Sequence, residues 1–167
     1  MPLTIGPSAW WLKTRESINY YAKLCPVGTT LPDGSITICK NGVQAWIVAP
    51  ANTQVSMAWI GGQYPGDCVT TAYPGRNFSL VCEWSTLQSC LVTRGFNPSD
   101  WFVPSCAQLL TPGYSCRGQW SPSSTRYWSS TEFSATDAYG LDFNFGNAPN
   151  FGKTGPCCVR AFRCVTY

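Results

Sequence analysis

The sequence predicts an α+β domain, and three observations carry that expectation. Two β-type runs, 35–39 and 43–49, flank Asn41-Gly42. Apolar residues then recur at helical spacing in mid-chain, at Trp84, Leu87 and Leu91. Extended runs return at 127–130, 138–145 and 158–165. Helices grouped in the middle with strands toward both ends give α+β rather than alternating α/β units.

Residues 14–24 suit a short helix with few apolar positions, Ile18, Tyr21 and Ala22, before Cys25-Pro26 and Gly28 break it. Residues 1–27 therefore read as an N-terminal arm that docks to a partner, and 28–167 as the domain. Asn-Gly between β-type runs is the strongest short hairpin signal, because a two-residue turn needs φ > 0 at both positions. Gly61-Gly62, Pro65-Gly66 and Pro74-Gly75 mark 61–81 as loop. Gly95 is placed to end the helix that begins near Trp84. Ser105 and Gln108 form a capping box for a second short helix, which carries Leu109 and Leu110 and stops before Pro112-Gly113. Residues 113–126 are a Ser/Pro/Gly-rich loop. Over 138–145, Tyr139, Leu141, Phe143 and Phe145 alternate with Gly140, Asp142 and Asn144, the pattern of a half-buried strand. A turn-rich loop at 147–156 leads to a closing strand at 158–165.

The chain of 167 residues is long enough for one cored domain. Only 11 % of residues are charged while 44 % are hydrophobic, against roughly 25 % charged in an average domain. That balance excludes disorder. A net charge of +3 without any basic run excludes a nucleic-acid footprint. No apolar stretch is long enough for membrane insertion.

Ten cysteines suggest a disulfide framework, with buried thiols and a metal site as the alternatives. No Cys-x-x-Cys pair and no His supports zinc. Residues 1–20 show neither the basic start nor the apolar core of a secretory leader. A particle assembled in reducing cytosol and active outside after lysis would reconcile these facts, so a virion protein is expected.

Several motifs resemble one family. They are Asp100-Trp101-Phe102-Val103-Pro104-Ser105 with Gln108-Leu109, Tyr127-Trp128-Ser129-Ser130-Thr131-Glu132, and Val159-Arg160-Ala161-Phe162-Arg163. Upstream, Gly28 with Leu31 and Asp33-Gly34, then Val48-Ala49-Pro50 and Trp59, resemble the opening pattern of the same family. The family is DUF1566, the Lcl C-terminal-like domains of bacterial surface proteins and phage tail fibres. The resemblance implies a C-type-lectin-like fold: N- and C-terminal strands paired, two helices, and irregular loops that expose a variable surface. Phage proteins of this kind grip host glycans or proteins. The chain departs from the pattern in Gln108, where Glu is usual, and in its many cysteines.

Calcium-dependent sugar binding lacks its acidic ligands, since Ala148-Pro149-Asn150 keeps only Pro-Asn. No metal and no cofactor is expected. Trp101 and Trp128 lie inside fold motifs and read as core. The exposed polar positions are the better binding candidates: Asp142 and Asn144 on the polar face of the strand, then Asn147, Asn150, Phe151 and Lys153 in the loop. Amides beside an aromatic suit a neutral glycan.

Catalysis has little support without His. Glu132, Asp137 and Asp142 are the one local carboxylate group and read as turn caps or partners of Arg126, Arg160 or Arg163. The expected function is therefore not enzymatic. It is a virion structural protein, a phage fibre, spike or capsid-decoration subunit, displaying a lectin-like surface for host attachment. It would bind other virion proteins through its arm and assemble as a homo-oligomer. The first alternative is a bacterial surface adhesin. The second rests on Phe162-Arg163-Cys164-Val165, which resembles the closing strand of formylglycine-generating enzymes, cysteine-dependent oxidases. Asn77-Phe78-Ser79 matches a glycosylation sequon by pattern alone.

Overall fold

The structure, a computed structural model, describes residues 14–62, 81 and 84–167. The turns expected within 63–80, the sequon and Cys68 and Cys82 lie outside the described residues. Among the described residues eight strands form two sheets and four short helices pack against them, a mixed α+β architecture.

Helix α1 (Arg15–Leu24) begins where Thr14 accepts a hydrogen bond from Ser17 N at 3.3 Å. Glu16 in its first turn and Lys23 in its last oppose the helix dipole. Ile18 and Ala22, four residues apart, share one face and are buried at 1 % and 0 % exposure. The segment expected as an arm is therefore part of the globule from Thr14 onward, because this face joins the main core. Residues 1–13 are outside the described residues.

Strands β1 (Ile36–Lys40) and β2 (Gln44–Val48) form the expected antiparallel hairpin. Its turn differs in type. Gly42 alone takes positive φ, +90°, while the Asn41 side chain accepts from Gln44 N at 2.9 Å. An Asx-type bond replaces the second positive-φ residue. Strand β8 (Phe162–Thr166) pairs with β2 from Gln44↔Thr166 to Val48↔Phe162, completing a sheet of order β1-β2-β8.

The larger sheet joins β3 (Val55–Met57), β4 (Arg126–Glu132), β5 (Asp137–Asp142), β6 (Asn150–Gly152) and β7 (Cys157–Val159) in the order β3-β7-β4-β5-β6. The closing run expected at 158–165 is thus two strands in two sheets. The break falls at Arg160-Ala161. There Ala49 N donates to Ala161 O at 2.9 Å, and Arg160 Nε donates to Ala49 O at 2.7 Å. These bonds tie together the two places where the chain passes between sheets.

Helix α2 (Ser85–Thr93) buries Leu87 and Leu91 and ends near Gly95 at φ +82°, as its spacing predicts. The capping box on α3 (Cys106–Gln108) forms both reciprocal bonds, Ser105 N to Gln108 Oε1 at 2.9 Å and Gln108 N to Ser105 Oγ at 3.3 Å. The helical backbone breaks before Pro112, as the sequence predicts, with Thr111 at φ −138° and ψ 110°, and a further turn then runs to Tyr114. Helix α4 (Arg117–Trp120) follows.

The family-like motifs meet at one junction. Phe102 and Phe162 exchange backbone bonds of 2.9 and 2.8 Å, Ser130 N donates to Pro104 O at 2.9 Å, and Cys106 N donates to Thr131 Oγ1 at 2.9 Å. Trp128 donates to Met57 O and Trp59 to Ser129 O, both at 2.9 Å, so the buried indoles keep partners for their N–H groups. Trp101 and Trp128 are core, at 3 % and 1 % exposure.

Candidate functional site

Strand β5 ends at Asp142, three residues earlier than the alternation suggests. Phe145 consequently does not continue a buried face; it stands at the tip of a turn, 78 % exposed. Asp142 organises that turn. Its carboxylate Oδ1 accepts from Asn144 N at 2.9 Å, its carbonyl accepts from Gly146 N at 2.8 Å, and its own N–H donates to Asn147 O at 2.9 Å. Gly146 has φ +68°, and a Cβ there would lie 2.5 Å from the Tyr114 ring. Only glycine fits this position.

The structure brings most of the six expected binding residues together. Asn144 and Asn147 are exposed on the turn with Phe145 between them. Asp142 Oδ2 lies 3.9 Å from Arg126 Nε, and the Arg126 guanidinium lies 5.1 Å from the Phe151 ring centre. Phe151 is half-buried, edge-on to Trp128, and Asn150 beside it is exposed. Asp142 itself is 8 % exposed and acts as the turn's brace rather than as an open surface group. Arg126 was missed as a surface residue, although the sequence offers it as a partner for Asp142.

Lys153 belongs elsewhere. It is 2 % exposed, ion-paired with the wholly buried Glu132, bonded to Ala135 O at 3.0 Å and 4.7 Å from the Trp59 ring centre. Burying an ammonium requires such compensation, and a lysine so enclosed cannot touch a ligand at the surface.

A second site has no forerunner in the sequence beyond the density of arginine at Arg160 and Arg163. A cleft of about 330 Å³ lies between α1, the 97–102 segment and β8, and adjoins one of about 280 Å³. Both share Arg15, Ser99, Asp100 and Arg163. Asn97 caps the short turn Pro98–Asp100 by accepting from Ser99 N at 3.1 Å, which turns Asp100 toward Arg15, 3.5 Å away. Arg163 Nη2 donates to Arg15 O at 3.1 Å and to Asn19 Oδ1. Burial lowers the Arg163 pKa below the usual guanidinium value, and Asp100 partly restores it.

The described cysteines are free thiols, where the sequence favours at least some disulfides. Cys39 and Cys116 lie against one another. Burial pushes the Cys157 thiol up to about 11 and raises Cys164, Cys106 and Cys39. Activated cysteines show the opposite shift. Among the described residues no cluster of three or more metal-binding side chains occurs, and no helix is long and apolar enough to cross a membrane. No model of a known protein family matches the sequence, and no curated protein matches it.

Proposed function

We propose that this chain is a C-type-lectin-like display domain of a virus particle that attaches to a host-surface glycan or protein through its 142–147 turn. The observation that carries the reading is Phe145, a large aromatic 78 % exposed on a turn braced by Asp142. An exposed aromatic lowers solubility and adds nothing to the core, so its rigid presentation favours contact with a partner. Asn144 and Asn147 beside it supply amide donors and acceptors for hydroxyl or peptide groups. The pairing of β2 with β8, and the junction of the three family-like motifs, support the lectin-like reading of the fold. The raised cysteine pKa values weigh against the cysteine-oxidase alternative.

Docking to other particle proteins falls to residues ahead of Thr14, since α1 is built into the core. Two measurements test the proposal. Peptide mass mapping of purified particles should find this chain; its presence on uninfected cells instead would favour the adhesin reading. Binding of the labelled chain to host cells should be lost in Phe145→Ala with its melting temperature unchanged. Undiminished binding would remove the turn from the attachment surface.

A further inference from the structure

We infer that the open edge of β8, where it lines the cleft shared with α1 and the 97–102 segment, docks an extended peptide segment of a partner protein that carries an acidic side chain. This edge belongs to the smaller sheet and is separate from the 142–147 turn, which follows β5 of the larger one.

Strand β8 has one used edge and one unused edge. Toward β2 it is paired along its whole length, and Tyr167 N continues that side by donating to Val43 O at 3.0 Å. On the other side Phe162 exchanges its N–H and carbonyl with Phe102, and no strand lies beyond. The backbone groups of successive residues in an antiparallel strand alternate between its two edges. Those of Cys164 and Thr166 therefore point the same way as those of Phe162. Neither residue uses them to bond any described residue. The cause is local. The Pro98–Asp100 turn, capped by Asn97, carries the chain ahead of Phe102 away from β8, so the pairing at Phe162 is an isolated bridge. Cys164 is half-buried and Thr166 exposed, and both line the cleft. These two ladder positions lie about 7 Å apart along the strand, room for about three residues of an incoming one. An unpaired edge of this kind is the surface used in strand addition.

The side chains set the charge of the incoming strand. Arg163 is only 6 % exposed, yet only its Nη2 donates, to Arg15 O at 3.1 Å and to Asn19 Oδ1. Its Nε and Nη1 have no hydrogen-bond partner among the described residues, and neither is sealed from solvent, so both are free to donate into the cleft that Arg163 lines. Among the described residues Asp100 is the only carboxylate lining that cleft, and it lies 3.5 Å from Arg15. Asp33 borders only the adjoining cleft and accepts from Ser35 N at 2.9 Å. Arg163 is thus a buried cation with no carboxylate of its own, and a buried charge gains from a bonded counter-charge. A carboxylate on the incoming strand forms charge-assisted bonds with it. The cleft exposes almost no apolar surface, so affinity rests on the ladder and this pair rather than on an apolar anchor. Two other occupants fit less well. Residues 1–13 contain no Asp or Glu. Two copies of β8 pairing edge to edge would crowd both Arg163 guanidiniums onto one short ladder.

The test is selection from a displayed library of random heptapeptides on the full chain, followed by fluorescence polarisation with the enriched peptides synthesised with both ends blocked. The enriched sequences should share one Asp or Glu. Changing that residue to its amide should weaken binding roughly tenfold. Methylating one alternate set of peptide N–H groups should abolish binding, and methylating the other set should not. On the protein, Thr166→Pro removes an outward N–H and leaves the β2 ladder in place, as edge positions allow. It should weaken binding at least tenfold at an unchanged melting temperature. In Arg163→Gln the acidic peptide and its amide should bind alike. The peptide variants leave the protein unaltered, so they decide the question even if Arg163→Gln does not fold. Phe145→Ala should leave peptide binding intact, and Thr166→Pro should leave host-cell binding intact, so failure of either surface is distinguishable from failure of the other. The inference is overturned if no peptide is enriched, if the enriched peptides lack an acidic residue or match residues 1–13, or if binding is unchanged in Thr166→Pro. It is also overturned if the chain forms dimers that Thr166→Pro abolishes, which would assign the edge to a second copy.

Discussion

Lys153 and Glu132 form an ion pair sealed inside the larger sheet, with the Lys153 ammonium 4.7 Å from the Trp59 ring centre. Glu132 is 0 % exposed, and its second oxygen, like the nearby Ser130 hydroxyl, has no hydrogen-bond partner among the described residues. Two charges in this setting depend on each other. Removing one strands the other, which typically costs about 3–5 kcal/mol, whereas replacing both by apolar groups is about neutral. Lys153→Met should therefore lower unfolding free energy by about that amount, and Lys153→Met/Glu132→Leu should recover most of it. Urea denaturation of the three chains checks this; a double variant no better than the single would contradict the coupling.

Gly140 gives a test of packing beside the proposed attachment surface. A Cβ at this position would lie 2.7 Å from the Phe151 ring and 2.8 Å from the Tyr127 carbonyl oxygen. The ring can move but the backbone oxygen of a paired strand cannot. Gly140→Ala should cost about 1–3 kcal/mol, the usual range for overpacking. It should also displace Phe151 from beneath Arg126. Thermal melting gives the first effect, and Trp128 fluorescence reports the second through its contact with Phe151.

Cys157 links stability to alkaline pH. Burial raises its folded-state pKa from the ordinary 9.0 to about 11. Between these values the unfolded thiol ionises while the folded one keeps its proton. The native state then binds more protons, so stability is full below pH ~9 and falls as pH rises toward ~11. A tenfold difference in proton affinity between the two states is worth about 1.4 kcal/mol, so the loss across this window is about 2–3 kcal/mol. Cys157→Ala should flatten the decline measured by urea unfolding as pH rises from ~8 to ~10.5. An equal slope in both chains would show that Cys157 does not contribute.

The features legible in the sequence are those set by neighbours along the chain. Asn41-Gly42 makes its hairpin, Ser105 and Gln108 close their capping box, and Leu87 and Leu91 share a helix face. The features that were not legible depend on distant partners. The strand break at Arg160-Ala161 is fixed by Ala49, 111 residues from Arg160. Lys153 reads as a loop residue until Glu132 is placed beside it. Phe145 fits an alternating pattern, but Asp142 commits its backbone groups to a turn and ends the strand first. The cleft between α1, the 97–102 segment and β8 draws on residues 15, 19, 100 and 163, and no local pattern brings those four together.

The pairing of β2 with β8 sets an order on the life of the nascent chain. Its bonds join Gln44 to Thr166 and Val48 to Phe162, so the smaller sheet cannot close until more than a hundred further residues have left the ribosome. Contacts of such separation fold slowly. Until then one edge of β2 is open, with Ile47 and Val48, buried in the finished fold, awaiting a strand. An open apolar edge pairs readily with another copy of itself. The interval between synthesis of the hairpin and arrival of Phe162–Thr166 is therefore when this chain is most prone to aggregate, and a chaperone that shields extended segments would raise its yield most if it acted then.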